Sequence, residues 1–390
     1  MKGLSTVAQM RFLIGLDQLS LGSRTNCDLL DSRGMVAVPE GTPVSSELLF
    51  NLKSRPIKGL FAAQEAFLQP PLPPPVVDMK SLGPVIREMQ LRANIDPPVN
   101  ESDFREAIAL TREILNAARM GLPIDYGSVF DFIRHIHVVM RRRNFHLSKN
   151  PGKDEVGEYL LNHSINSMFA SLAMSSKLNF NDDEVRKLAA GALLHDIGKV
   201  KIDSAILQKP AALTDKEFDE MRKHPFFGLK VIMRGMDIGD QACRLVLHHH
   251  ERYDGKGYPM KLGREAISTG GRIMAIIDAY DAMTSERTYA GKLTPHKAMK
   301  EIIAGSGTQF DPNYAREFLG ISGAYPNGSV VELNTGEIGV VTGQTPGNII
   351  SPKMEIFFGP SHKPLPKTRE VDLSADSARF IKGDIQEYIN

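Results

Sequence analysis

A chain of 390 residues with 42% hydrophobic and 24% charged side chains has the make-up of an ordinary globular protein of two or three domains, long enough to bury a large core. Its 47 Lys and Arg nearly cancel its 46 Asp and Glu, so a net charge of +1 argues against a general polynucleotide binder and leaves room for a local basic pocket. Two cysteines far apart, Cys27 and Cys243, do not make a disulfide framework, and no run reaches the ~18 apolar residues of a membrane span; a cytoplasmic protein is expected.

Residues 1–75 read as a mixed α/β region. Met35-Val36-Ala37-Val38 is a strand and Pro39-Glu40-Gly41 a turn. Ser45 or Ser46 then caps a helix through Glu47-Leu48-Leu49-Phe50-Asn51-Leu52, with Leu48 and Leu52 on one face. Pro70-Pro71-Leu72-Pro73-Pro74-Pro75 closes the region as a stiff linker, because five prolines in six residues suit neither a helix nor a central strand. Residues 76–150 read as a helical connecting region. Ser102 with Arg105-Glu106 starts a helix that carries Ile108, Leu115 and Ala118 on its apolar face and ends near Gly121 and Pro123. A second helix over 129–140 carries His135 and His137 half-exposed, and Arg141-Arg142-Arg143 is a solvated helix end. Residues 151–322 are almost wholly helical in pattern. From residue 323 a small β module follows: a hairpin of Ser329-Val330-Val331-Glu332-Leu333 and Ile338-Gly339-Val340-Val341-Thr342 about Asn334-Thr335-Gly336, then a strand at Met354-Glu355-Ile356-Phe357-Phe358. The fold class expected is mainly α, with a small mixed N-terminal region and a small β C-terminal module.

The chemistry lies in the helical stretch. An apolar run to Leu194 leads into His195-Asp196-Ile197-Gly198-Lys199, and an unpaired Asp in a buried helix needs a cation or several donors. Neighbouring helical side chains diverge by roughly 100°, so the carboxylate can bridge two ions while the imidazole binds one. Lys199, one turn on, can neutralise a phosphate held by those ions. His163 lies one helix upstream, His224 near the start of another, and His249-His250 ends the run Leu245-Val246-Leu247. Asp278 is embedded in Arg272-Ile273-Met274-Ala275-Ile276-Ile277-Asp278-Ala279-Tyr280. Each His alone fits a core or surface position, but five His and two Asp spread over successive helices point to a metal pair. His248 is left in a supporting or exposed place. Imidazole and carboxylate without thiolate suit iron, manganese or another first-row divalent ion better than a structural zinc. A pair of such ions can make hydroxide at neutral pH and bind a phosphodiester. No Ser-His-Asp set or Gly-rich phosphate loop competes.

Over residues 154–319 these features resemble the HD-GYP phosphodiesterases, a bacterial branch of the HD-domain metallohydrolases. The resemblance runs through His163-Ser164, His195-Asp196-Ile197-Gly198-Lys199, Lys209-Pro210 with Leu213-Thr214, His224-Pro225 with Gly228, and His249-His250-Glu251-Arg252-Tyr253-Asp254-Gly255. It continues in Gly257-Tyr258-Pro259, Asp278-Ala279-Tyr280-Asp281-Ala282-Met283-Thr284, Arg287, and Gly307-Thr308-Gln309-Phe310-Asp311-Pro312. It implies a helical HD-domain bundle over 151–322 and hydrolysis of cyclic di-GMP to pGpG and onward to GMP. Carried over by position, it implies one ion on His163, His195, Asp196 and Asp278, and a second on Asp196, His224, His249 and His250, with Asp196 shared. Lys199 and Arg287 would meet the phosphates and Tyr258 would line the pocket; Asp196 and Lys199 are the residues closest to the chemistry. It further implies signalling-protein partners at the Gly-Tyr-Pro region and a homodimer as the candidate assembly, the N-terminal half being regulatory or dimerising.

Two positions depart from the resemblance. Tyr159 stands where some members carry a Glu that adds a third metal, so a binuclear site with less efficient conversion to GMP is expected. Ala290 stands where members often have a basic residue, which bears on affinity, with Lys292 as a substitute. The competing readings are hydrolysis of another cyclic dinucleotide on the same metals and a cyclic di-GMP receptor with little turnover.

Overall fold

The computed structural model describes residues 12–14, 25, 28–30, 35–54, 60–62, 83–93, 95, 99–142, 159–209, 211–234, 238–285, 293–345 and 347–385. The chain divides into two compact units, Met1–Ser81 and Leu82–Asn390. The proline run at 70–75, Arg143, Pro210, Arg287, Ala290 and Lys292 lie outside the described residues, as does the side chain of Tyr159.

The first unit holds an antiparallel sheet of β1 (Phe12–Ile14), β2 (Leu29–Leu30), β3 (Val36–Val38) and β4 (Leu60–Ala62), in the order β1-β4-β2-β3, with α1 (Ser46–Ser54). Ser45 is the cap of α1: its hydroxyl accepts the Leu48 N–H at 3.1 Å.

The second unit opens with α2 (Gly83–Arg92), α3 (Glu101–Met120) and α4 (Tyr126–Arg142). Asn100, not Ser102, caps α3, accepting the Asp103 N–H, and Gly121 ends it in the left-handed region at φ 74°. The buried face of α3 is Phe104, Ala107, Ile114, Leu115 and Ala118, with Ile108 only partly covered. Next come α5 (Tyr159–Lys177), α6 (Asp182–Leu194), a 3-10 turn (Ile197–Lys201), α7 (Ser204–Leu207), α8 (Asp215–Met221), α9 (His224–Ile232) and α10 (Asp240–His248). A 3-10 turn (Arg264–Ala266), α11 (Thr269–Thr284), α12 (Pro295–Ala304) and α13 (Pro312–Ser322) complete the helices.

Helix α5 is the axis of the bundle. Ile165, Met168 and Leu172 pack into one core with Ile133, Ile136, Leu193, Ile232 and Val246, while Ala170 and Met174 pack into a second with Leu245, Ile273, Ile277, Ile302 and Phe318. A helix buried on both sides leaves its hydroxyls no water, so Ser171 and Ser175 donate back to the carbonyls of Met168 and Ser171 at 2.7 and 2.8 Å. Helices α3 and α4 share the first of these cores with α5 and α6.

The C-terminal sheet is antiparallel throughout, in the order β8-β7-β6-β5-β9, from β5 (Val330–Leu333), β6 (Ile338–Thr345), β7 (Asn348–Phe358), β8 (Pro364–Asp372) and β9 (Ile381–Asp384). The expected hairpin turn is closed by the Leu333 N–H donating to the Glu337 carbonyl at 2.8 Å, with Gly336 at φ 80°. Val331, Leu333, Val341, Met354, Ile356 and Leu373 form its core. Gln90 of α2 and Ala324 tie this sheet to the bundle, bonding the Gly328 and Ile349 carbonyls at 2.7 and 2.8 Å.

Candidate metal centre

The last four carbonyls of a helix have no intrahelical donor. Three of the expected ligands stand just past such ends and use one ring nitrogen to satisfy them. His195 Nδ1 donates to Ala192 O at the end of α6, His224 Nδ1 to Met221 O at the end of α8, and His249 Nδ1 to Val246 O at the end of α10, each at 2.8 Å. His163, inside α5, donates its Nδ1–H to Asp281 Oδ2 at 2.6 Å. In all four rings this bond fixes the ring's orientation and turns Nε2 inward.

Those Nε2 atoms meet. His163 and His195 are 3.0 Å apart at Nε2, and His224 and His249 are 3.1 Å apart. Two lone pairs at that separation repel unless a proton or a cation lies with them. Burial pushes His224 down to about 3 and holds His249 far below the ordinary imidazole range, so the second pair has no proton to share at neutral pH. At the first pair burial also opposes charge, yet the Asp278 and Asp281 carboxylates outweigh it and raise His163 to about 10. There a proton fills the gap.

Asp196 lies between the two pairs. Its Oδ2 is 3.6 Å from His163 Nε2 and 3.5 Å from His195 Nε2; its Oδ1 is 3.3 Å from His224 Nε2 and 3.8 Å from His249 Nε2. Burial by itself opposes ionisation, but Lys199, His195 and His224 hold Asp196 well below the usual carboxylate range. Its Oδ1 is fully buried with no hydrogen-bond donor, an orphaned anionic oxygen facing two bare imidazole nitrogens. That donor set fits a hard-to-borderline divalent cation. Potential ligand atoms fall into two groups sharing Asp196: His163, His195 and Asp196, and Asp196, His224, His249 and His250. Asp278 joins them, 3.2 Å from His163 Nε2 and 3.6 Å from His250 Nδ1. Burial pushes His250 down to about 4, leaving it neutral.

Two glycines make this convergence sterically possible. The His195-Asp196 doublet sits where α6 gives way to the 3-10 turn, rather than inside a helix, and that turn lies directly on α9. A Cβ at Gly198 would stand 2.0 Å from the His224 carbonyl oxygen and 2.4 Å from the Gly228 nitrogen. Downstream, a Cβ at Gly257 would stand 2.3 Å from the Arg252 nitrogen, so the loop after His250 folds back on its own backbone. Glu251 pins that loop, accepting the Met260 and Leu262 N–H groups at 2.6 and 3.0 Å. The fold-back lays the Tyr258 ring over His250, centroids 4.7 Å apart.

Lys199 reaches the same carboxylate from outside, with Nζ 2.5 Å from Asp196 Oδ2. Every residue singled out from the sequence as a ligand thus converges, as do Lys199 and Tyr258; Arg287 lies outside the described residues. His248 is buried but turned away, its Nδ1 accepting the Ser268 N–H at 3.1 Å at the start of α11. His135 pairs with Asp103 at 3.1 Å, away from the cluster. Sequence reasoning assigned no role to Asp281, which orients His163 and is itself held by Asn166 at 2.8 Å. The signal was present: Asp278 and Asp281 are three apart on α11, as are His163 and Asn166 on α5, and such spacing shares a helix face.

A mainly helical bundle turns a buried His/Asp cluster onto one shared carboxylate, an arrangement that could hold divalent metal. Residues 146–314 match the HD domain family, and residues 330–388 match the KOW domain associated with HD domain. The chain is 37% identical over 258 residues to a cyclic di-GMP phosphodiesterase of Pseudomonas aeruginosa, covering 66% of this chain and 62% of that one. It is 41% identical over 143 residues to a cyclic di-GMP phosphodiesterase of Vibrio cholerae, covering 35% and 29%. It is 32% identical over 154 residues to the 3'3'-cGAMP-specific phosphodiesterase 2 of Vibrio cholerae, covering 37% and 30%. The chain therefore spans less than two thirds of the length of each of these relatives. The HD-domain match spans the stretch that carries the His/Asp cluster, Asp196, His224, His249 and His250 among it. Among the described residues, no helix is long and apolar enough to cross a membrane.

Proposed function

We propose that this chain is a metal-dependent phosphodiesterase that hydrolyses cyclic di-GMP to pGpG and, less efficiently, to GMP. The observation that carries the reading is the orphaned Asp196 Oδ1 facing the bare Nε2 atoms of His224 and His249, in a chain whose relatives are named for cyclic dinucleotide hydrolysis.

Two divalent ions, iron or manganese, would be held by His163, His195, Asp196 and Asp278 and by Asp196, His224, His249 and His250. When bound they would supply an acidified water and neutralise charge on the phosphoryl oxygens. The chain's own residues do the rest. Asp281 keeps the His163 proton on Nδ1, and the three helix-end carbonyls do the same for His195, His224 and His249. Among the described residues the cluster is open to solvent at Lys199, His250 and Asp278: the side chains of Lys199 and His250 are 23% exposed and Asp278 17%, against at most 1% for the other ligands. A phosphodiester enters there, beside the Lys199 ammonium and against Tyr258, whose ring packs on His250. Arg287 is the second cation proposed for the phosphate. No separate carboxylate base is needed.

Hydrolysis of a mixed cyclic dinucleotide on the same residues is a second reading, supported by the similarity to a 3'3'-cGAMP-specific enzyme. Chromatography of cyclic di-GMP, cyclic GMP-AMP and cyclic di-AMP incubated with anaerobically prepared, manganese- or iron-loaded protein separates the readings. Cleavage of cyclic di-GMP ahead of the other two is expected. Preference for the mixed ring would install the second reading, and metal loading without turnover of any of them would leave a receptor. Signalling partners at the Gly-Tyr-Pro loop and a homodimer are also proposed, to be read from pull-down and solution mass.

A further inference from the structure

Helix α8 contributes no buried residue to the core, yet it carries Phe218, a large apolar ring left 45% exposed. That ring stands next to the mouth of the metal centre. From His250 the aromatic surface continues outward to Tyr258 at 4.7 Å, and from Tyr258 to Phe218 at 6.3 Å with the planes at 78°. One helical turn beyond Phe218, the Arg222 guanidinium lies over its ring, 5.0 Å from the centroid. Arg222 is paired with Asp219 on the same helix, and its side chain is 42% exposed. A guanidinium carries five N–H donors in a planar fork, so one carboxylate leaves donors to spare.

We propose that Phe218 and Arg222 form the seat for a guanine base of the substrate, Phe218 giving a stacking face and Arg222 donating to the base's O6 and N7 edge. The inference rests on the cyclic dinucleotide reading above and names the residues that would choose its base. The placement follows from the geometry of entry. A phosphodiester that reaches Asp196 past Lys199 and His250 leaves its nucleoside on the same open side, and the aromatic surface that begins there is Tyr258 followed by Phe218. Every nucleobase offers a π face to a ring of this kind, whereas of the two purines only guanine offers paired acceptors to an arginine fork. Phe218 thus supplies affinity and Arg222 supplies selectivity.

The test uses the full, manganese-loaded chain and two exposed-site variants, Phe218→Ala and Arg222→Gln. Equilibrium dissociation constants and steady-state KM and kcat are measured for cyclic di-GMP and cyclic di-AMP, with bound metal counted in every sample. Phe218→Ala is expected to weaken both ligands about tenfold, the order of one lost base stack. Arg222→Gln is expected to weaken cyclic di-GMP about tenfold, the order of one lost bidentate contact, and cyclic di-AMP by less than twofold. In both variants the loss should fall on KM more than on kcat, with metal content as in the parent. Unchanged affinities would overturn the proposal, and so would loss of metal, which would make α8 a structural support. If both variants bind cyclic di-GMP normally but lose capture of a protein partner, the Phe218 surface is a docking face instead. A parent chain that neither binds nor cleaves a cyclic dinucleotide would sink the functional reading itself, whatever the variants do.

Discussion

His224 and His249 are kept neutral by burial, and the carboxylate oxygen beside them has no donor. Removing that carboxylate removes the atom common to both ligand groups, so Asp196→Ala is expected to lose metal from both positions together with hydrolysis. Retained activity would show that another group is shared. Asp281→Asn acts at one remove: it loosens His163 while leaving His224, His249 and His250 in place. Loss of such a partner typically costs about 10–100-fold in metal affinity, so a metal titration should show one weakened step and one unchanged. The metal-free protein keeps a proton on His163 up to a pH of about 10 because Asp278 and Asp281 outweigh its burial. Metal must displace that proton, so affinity at this position should rise with pH towards about 10 and level off above it. Calorimetry in buffers of different ionisation enthalpy counts the proton released at neutral pH. No release would mean that His163 is not a ligand.

At the scale of elements, the centre depends on where helices stop and how closely the next one begins. Gly198→Ala would drive a Cβ into the His224 backbone, moving Asp196 away from α9. Lost metal binding and a lowered melting temperature are expected, and a chain that tolerates the change would show that the turn has slack. The helices, the hairpin and the residues that come together in the cluster were legible because periodicity, turn residues and buried charges each leave a mark in the sequence. The mark was weaker elsewhere. Strand β8 begins Pro364-Leu365-Pro366 and carries Lys367, Arg369, Glu370 and Asp372, as suits an edge strand but not an obvious one, and β9 is four residues long. The placement of His195 and Asp196 at a helix end, and of Asn100 as the α3 cap, turned on single hydrogen bonds that periodicity does not register. Asp281 was missed because a carboxylate that orients a histidine carries the same letter as one that joins the cluster itself.

For the whole molecule, a cluster drawn from α5, the end of α6, the start of α9, the end of α10 and α11 means that a metal held there would brace those helices against one another. A ligand present at about 1,000 times its dissociation constant stabilises the native state by roughly 4 kcal/mol. Chelation should therefore lower the melting temperature of the Leu82–Asn390 unit by several degrees, and manganese should restore it. The Asp196→Ala protein should melt at the same temperature with and without metal. Equal melting of the loaded and chelated parent would place the cations outside the core.

The most direct test is to count metal ions per chain in anaerobically reconstituted protein while following the cleavage of cyclic di-GMP, for the parent and for Asp196→Ala. Two ions per parent chain with pGpG formed, and neither ions nor product in the variant, is the predicted result. Cleavage by metal-free protein, or a variant that keeps both its ions and its turnover, would contradict it.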